Sequence, residues 1–352
     1  MRTADFDYDL PAELIAQEPA PQRDQARLLV VDRQGAPLAD RRFADLPALL
    51  PPDALLVMND SRVIPARLRG HKPTGGEAEA LLVRRKQNAE AEGWVALVRT
   101  SKRLRPGLEL RFDHDRVVAR VEDVLPDGAA VLLFSGPPAE AGPETFLAWV
   151  DRVGETPLPP YIERPEGERA FDRERYQTVY ARPPGSVAAP TAGLHFTPAL
   201  LAALDARGVE RAFVTLHVGP GTFRPVRSEV VEEHVMDEEH VELGEPTVRA
   251  IRRAREAGRP VVAVGTTTVR ALEGAAARGP LAPGRFATRL FIRPGFAFQV
   301  VDGLITNFHL PRSTLLMMVC AFGGEELILH AYREAVREGY RFYSYGDCML
   351  IV

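Results

Sequence analysis

Three short segments of this sequence carry side chains suited to chemistry. In Phe213-Val-Thr-Leu-His-Val218 apolar residues alternate, which predicts a strand with Phe213, Thr215 and His217 on one face. His217 then lies near the strand's carboxyl end, before the turn Gly219-Pro-Gly-Thr222, where open α/β sheets bind ligands. An imidazole there is a proton carrier near neutral pH; a histidine bonded to a neighbouring carbonyl is the alternative. The second segment, Val261–Val264, runs through Gly265 into Thr266-Thr-Thr-Val-Arg270: a strand, a glycine, then hydroxyls opening a helix. The free N–H groups of such a start, backed by the helix dipole, suit a carboxylate or a phosphate. The spacing is neither G-x-G-x-x-G nor a Walker loop, so the usual dinucleotide and nucleoside-triphosphate readings fail. An ordinary N-capped helix would carry the same residues. The third, Ser186-Val-Ala-Ala-Pro-Thr-Ala-Gly-Leu-His-Phe196, includes Thr191, Gly193 and His195 among small residues that let backbone approach a ligand. A tight packing loop, with His195 capping the next helix, is its alternative. A further run, Glu232 to His240, would set His234, Asp237 and Glu238 on one helical face. Two histidines six apart match no common metal spacing, so no metal is expected; a solvated acidic face or a ligand-recognition loop is.

These segments need a scaffold. A chain of 352 residues implies about two domains, and 45% hydrophobic with 26% charged residues is ordinary globular composition. No run of about 18 uncharged apolar residues occurs, and the acidic start lacks an apolar signal core. Neither a membrane span nor secretion is expected. Cys320 and Cys348 sit in apolar settings without a CxxC pair, which argues against disulfide and zinc frameworks and for a reducing cytoplasm. Pro11–Gln17 reads as a short helix, and Leu28–Val31 and Leu55–Met58 as buried strands. Then six short strand-like runs follow one another: 66–70, 78–85, 94–100, 108–112, 117–124 and 129–134. Turn clusters separate them, which predicts a small barrel or sandwich. After 151 helix and strand alternate again: helices over 197–207, 248–256, 266–277, 315–321 and 327–336, and strands over 213–218, 261–264 and 341–352. The expected fold is therefore an α/β core, a layered sheet with helices on both faces, formed by 1–62 plus 151–352, with a β-barrel domain inserted at 63–150. The net charge is −4, yet positions 62–111 hold twelve Lys and Arg against five Glu. Arg62, Arg67, Arg69 and Lys72, with Lys102, Arg103 and Arg105, form two basic clusters of the kind that phosphate backbones require. Ordinary surface cations are the alternative.

Longer blocks are more specific. Asn59-Asp-Ser-Arg-Val-Ile-Pro-Ala-Arg67, Val187–Phe196, Val214–Gly219, Val264–Thr267, Thr306-Asn-Phe-His-Leu-Pro311 and Tyr345–Ile351 resemble, in this order, the S-adenosylmethionine:tRNA ribosyltransferase-isomerases of queuosine biosynthesis. The resemblance covers essentially the whole chain. Departures are Pro220 and Cys348, each where the family usually has Ala, and Asp237 where it often has His. The resemblance implies transfer and isomerisation of the ribosyl part of S-adenosylmethionine onto 7-aminomethyl-7-deazaguanine in tRNA, giving epoxyqueuosine, adenine and methionine. S-adenosylmethionine is then consumed as a substrate, with no cofactor and no metal, in a cytoplasmic and monomeric enzyme whose partner is that tRNA. Such chemistry needs two or three proton carriers, and His217, His195, His309 and Asp237 fit by type, His217 foremost. Thr266, Thr267 and Arg270 would hold the methionine carboxylate, Asn307 a polar group of ribose or adenine, and Thr191, Gly193 and Gly265 would line the site. Arg62, Arg67, Arg69, Lys72, Lys102, Arg103, Arg105 and Arg224 are the expected tRNA contacts. Another tRNA-base-modifying transferase, or a non-catalytic RNA-binding protein, is the rival reading.

Overall fold

In the computed structural model, residues 1–86, 91–101, 103–219, 226 and 228–352 are described. Lys102 and Arg224, two of the expected tRNA contacts, lie outside them. Most of the chain outside the barrel builds on a nine-stranded mixed sheet. Across it the strands run 284–288, 239–243, 210–216, 55–59, 261–264, 303–307, 348–351, 27–31 and 39–42. The four strands from Glu210–Leu216 to Gly303–Asn307 are mutually parallel, so their carboxyl ends share one edge.

The period of two explains how the sheet is covered. Leu55, Val57, Val261, Ala263, Leu304, Met349 and Ile351 face one apolar cluster, while Leu56, Met58, Val262, Val264, Ile305 and Leu350 face another. The first side is packed by helices Glu245–Glu256, Thr266–Ala276, Thr314–Gly323 and Glu325–Arg337, and the second by Pro198–Ala206. Strands buried on both faces must read as unbroken apolar runs, as Leu55–Met58 and Val261–Val264 do. Among the described residues no single helix is long and apolar enough to cross a membrane.

Between the core segments the chain forms a closed six-stranded antiparallel barrel from Arg67–His71, Glu77–Arg85, Glu92–Thr100, Glu109–Phe112, Val117–Val124 and Ala130–Ser135. Its interior is aliphatic and aromatic, and helix Pro143–Val153 adds Phe146, Trp149 and Val150 to it; the Phe134 and Phe146 rings lie 4.9 Å apart. The chain leaves and re-enters side by side, with N–H groups of Arg67 and Glu155 donating to each other's carbonyls.

Some expected elements differ. The Pro11–Gln17 helix is a single 3₁₀ turn, Ala12–Leu14, too short to propagate. The terminal strand is Cys348–Ile351 alone, because Tyr343 has φ +69° and breaks any extended run from 341. Strand Glu210–Leu216 ends one residue before His217. The acidic run at 232–240 is no helix; it leads instead into strand Glu239–Leu243.

Candidate active site

The shared edge of the four parallel strands carries polar residues where apolar runs end. Asn59, fully buried, closes the Leu55–Asn59 strand; its Oδ1 accepts N–H from Ser61 and Leu216 at 3.1 Å each, and its Nδ2 donates to Leu216 O and to Thr267 Oγ1 at 3.2 Å. Asn59 therefore ties three strand ends together and leaves the Thr267 hydroxyl hydrogen free to donate. Gly265 (φ +86°) makes the turn from strand to helix that a side chain would strain. After it, the first turn of Thr266–Ala276 has N–H groups without intrahelical acceptors.

These ends open into a cleft with about 610 Å³ of empty space. Thr191, Gly265, Thr266, Thr267, Asn307 and His309 line it, along with Thr306, Tyr161 and Tyr343. Tyr161 and Tyr343 stack at 4.5 Å. None of the described lining residues carries a formal charge when His309 is neutral. Burial, with a smaller push from Arg270, brings His309 down to about 3; its Nε2 meets Thr306 Oγ1 at 2.7 Å. His195 lies one layer behind. Burial and the nearby guanidiniums hold it at about 3 as well, and its Nε2 is 3.3 Å from Asn307 Nδ2. That Asn307 nitrogen also donates to the carbonyls of Tyr343 and Asp347, which fixes the amide: only NH₂ can face two carbonyl oxygens. Asn307 Oδ1 is left buried without a partner, an acceptor suited to a ligand N–H or O–H.

Other expected residues fall elsewhere. Arg270 is 2% exposed and gives both Nε and Nη2 to Glu239 at 2.5 and 2.6 Å, so its charge is spent inside the protein and cannot take a carboxylate. Gly193 is buried because a Cβ would lie 2.1 Å from the Tyr180 hydroxyl; it serves packing rather than the ligand. Asp237 is exposed, and its charge only partly opposes the lowering of the His234 pKa by burial; the His234 ring lies against Phe291, outside the cleft, so Asp237 is in no position to carry protons there. His217 is half-buried beside Gly185, and Val218, its neighbour, reaches the cleft wall. Its Nδ1 has no partner among the described residues, and burial lowers its pKa while Glu242 opposes that shift.

Several of the barrel cations are engaged. Lys72 is buried with Nζ on Ser101 Oγ at 2.8 Å, which removes it from any phosphate contact. Arg69 pairs with Glu155 at 2.7 Å, and Arg67 lies 3.6 Å from Glu79 while donating to Leu158 O. Arg62 is half-buried on the two-stranded ribbon it forms with Pro184–Ser186. Arg103 and Arg105 are exposed and have no ion-pair partner among the described residues. Asn59, Glu239 and the Tyr161–Tyr343 stack were not among the expected site residues. Only the Asn that ends the apolar run Leu55–Met58 had a visible signal.

A cleft at the strand ends of a mixed sheet, with a barrel inserted beside it, defines this chain's class: it belongs to the queuosine biosynthesis protein family, whose model matches residues 3–351. Among curated relatives, the S-adenosylmethionine:tRNA ribosyltransferase-isomerase of Anaeromyxobacter sp. (strain Fw109-5) is 54% identical over 351 residues, covering 100% of this chain and 99% of that protein. Its counterpart from Acidithiobacillus ferrooxidans is 55% identical, over 100% and 98% of the two chains. Among solved structures, the S-adenosylmethionine tRNA ribosyltransferase of Thermotoga maritima is similar with a TM-score of 0.55 and 38% identity, over 99% of this chain and 100% of that one.

Proposed function

We infer that this protein is an enzyme that transfers and isomerises the ribosyl part of S-adenosylmethionine onto 7-aminomethyl-7-deazaguanine in tRNA, yielding epoxyqueuosine and releasing adenine and methionine. The supporting observation is an uncharged cleft that carries hydroxyl and amide groups at four parallel strand ends, in a chain 54% identical over its full length to a protein so named. A base-exchanging tRNA enzyme would need a carboxylate nucleophile, and no described cleft-lining residue supplies one.

Each group in the cleft then has a task. The N–H groups opening Thr266–Ala276, with the Thr266 and Thr267 hydroxyls, take the methionine carboxylate without help from Arg270. Asn307 Oδ1 accepts from a ribose hydroxyl or the adenine amino group. The hydrogen on the ribose carbon next to the sulfonium is acidified by that charge, so a positioned base removes it. Rings held at about 3 are poor bases near neutral pH, so His195 and His309 act as neutral hydrogen-bond partners. His217, next to the cleft-lining Val218 and with a buried Nδ1 that has no partner among the described residues, is the proton carrier we assign to the site's edge. The barrel, taken as a domain over 63–150, contacts the tRNA through the unpaired Arg103 and Arg105 and the adjoining Lys102. No cofactor acts besides the consumed S-adenosylmethionine, and the enzyme works as a cytoplasmic monomer, which sedimentation velocity checks.

Incubation with S-adenosylmethionine and tRNA bearing the aminomethyl-deazaguanine tests the reading. Adenine and methionine in equal amounts are expected. S-adenosylhomocysteine as the product would make the protein a methyltransferase, and tRNA binding without any small product would favour a non-catalytic RNA-binding role.

A further inference from the structure

Beside the cleft lies a smaller cavity with about 240 Å³ of empty space, lined by Arg23, Arg175, Leu194, His195, Ser344 and Tyr345 among others. Ser344 lines both spaces. That space includes open solvent, and the room between its walls is small, so it suits one small group rather than a whole organic ligand.

Its walls carry unspent charge. Arg23 donates to the carbonyls of Leu194 and Glu174 at 3.0 and 2.7 Å, and Arg175 to those of Pro21 and Ala20 at 3.2 and 2.5 Å. Backbone carbonyls orient a guanidinium without neutralising it, and neither arginine has an ion-pair partner among the described residues. The Glu174 charge reaches Arg23 only as a weaker influence than burial and the like charge of Arg175. Arg175 Nε is buried with no partner. Tyr345 is 2% exposed, and its hydroxyl too has none. Burial keeps that phenol protonated, so it remains a donor. Two partly buried cations and an unused O–H facing one small cavity are costly until an anion joins them.

We propose that this cavity is a phosphodiester site, in which Arg23, Arg175 and the Tyr345 hydroxyl grip one backbone phosphate of a bound RNA strand whose attached nucleotide enters the cleft past Ser344. The proposal rests on the reading of the cleft given above. The same oxyanion chemistry is offered by the carboxylate of S-adenosylmethionine, and the test separates the two sources.

Full-length tRNA binding is measured by fluorescence anisotropy between 50 and 200 mM salt, roughly the range over which phosphate contacts weaken. S-adenosylmethionine binding is measured by calorimetry, each for wild type, Tyr345→Phe, Arg175→Gln and Arg175→Lys. Tyr345→Phe removes only an O–H with no internal partner, so its thermal midpoint stays at the wild-type value even if an arginine variant fails to fold. Its tRNA affinity is expected to fall roughly tenfold. Arg175→Gln is expected to lose at least as much and to flatten the slope of log K against log salt by about 0.7–0.9, whereas Arg175→Lys keeps the slope. S-adenosylmethionine affinity stays unchanged throughout. Wild-type tRNA affinity and slope in Tyr345→Phe and Arg175→Gln would reduce the cavity to a structural clamp. Loss of S-adenosylmethionine affinity instead would assign the anion to its carboxylate and overturn the phosphate. Failure of the wild type itself to bind tRNA would overturn the reading of the cleft, and this one with it.

Discussion

The barrel and the core handle polar groups in opposite ways. In the barrel the interior is apolar and, Lys72 apart, the named cations sit on the outside, where Arg69 meets Glu155, Arg85 meets Glu92 and Lys86 meets Glu122. In the core, charges and amides are carried inside to the strand ends: Arg270 with Glu239, Asn59 between Leu216 and Thr267, Asn307 among His195, Tyr343 and Asp347. In the region richest in positive charge by sequence some cations are thus taken up by carboxylates while others, Arg103 and Arg105 among them, have no ion-pair partner among the described residues, and the acidic remainder of the chain keeps the unneutralised pair Arg23 and Arg175. A count of cations measures composition; availability depends on which carboxylates fold against them. Exposed pairs can exchange their partners for phosphate at little cost, whereas buried pairs cannot.

Changing His217, at the core's strand ends, should have the largest effect on turnover. His217→Ala is expected to cut kcat for adenine release by roughly 10²–10⁴ if the ring moves a proton in the slow step; near-normal kcat would move that role elsewhere. The contrast between buried and exposed pairs comes next. Arg270→Met leaves Glu239 charged and buried and should cost about 3–5 kcal/mol in denaturant unfolding, whereas Arg69→Ala in the barrel should cost about 0–1 kcal/mol. Equal losses would erase the distinction. Per pH unit, a smaller effect is a pH dependence from the core alone. His195 and His309 fall from the ordinary 6.5 to about 3 on folding. Between those values the unfolded chain binds protons that the folded chain refuses. Stability should therefore be full above about 6.5 and decline as pH falls toward 3, on the order of 1 kcal/mol per pH unit for each ring. Thermal midpoints from pH 7 to 4 should show a shallower decline for His309→Gln; an identical slope would mean His309 is not held neutral.

The barrel was legible because each strand is bounded by a turn cluster such as Pro73-Thr-Gly-Gly76 or Pro126-Asp-Gly128, and local chemistry sets local pairing. All five expected core helices lie within three residues of their observed limits, since caps such as Thr197, whose side chain accepts from Leu200 N–H, are local signals too. The site was less legible. His217 and Thr266 mark strand ends that a periodicity reveals, and His195 sits in a loop of small residues, but whether a ring is buried neutral or left with an unpaired nitrogen depends on residues far away in sequence. Asn307 meets His195 112 positions off, and Asn59 meets Thr267 208 positions off. Arg270 looked like an anion ligand because Glu239, 31 residues earlier, sits in an acidic run that read as a solvated face rather than a strand. Alternation in Glu239-His-Val-Glu-Leu243 was present, but the acids before it masked it.

Equilibrium binding of S-adenosylmethionine without tRNA, compared between Asn307→Leu in the core and Arg103→Ala in the barrel, tests the division of labour most directly. The core variant should bind at least tenfold more weakly, because a buried acceptor is replaced by a group that leaves the ligand's donor unpaired, and the barrel variant should match the wild type. Full affinity in Asn307→Leu together with lost affinity in Arg103→Ala would put the nucleoside in the wrong half of the molecule and end the account.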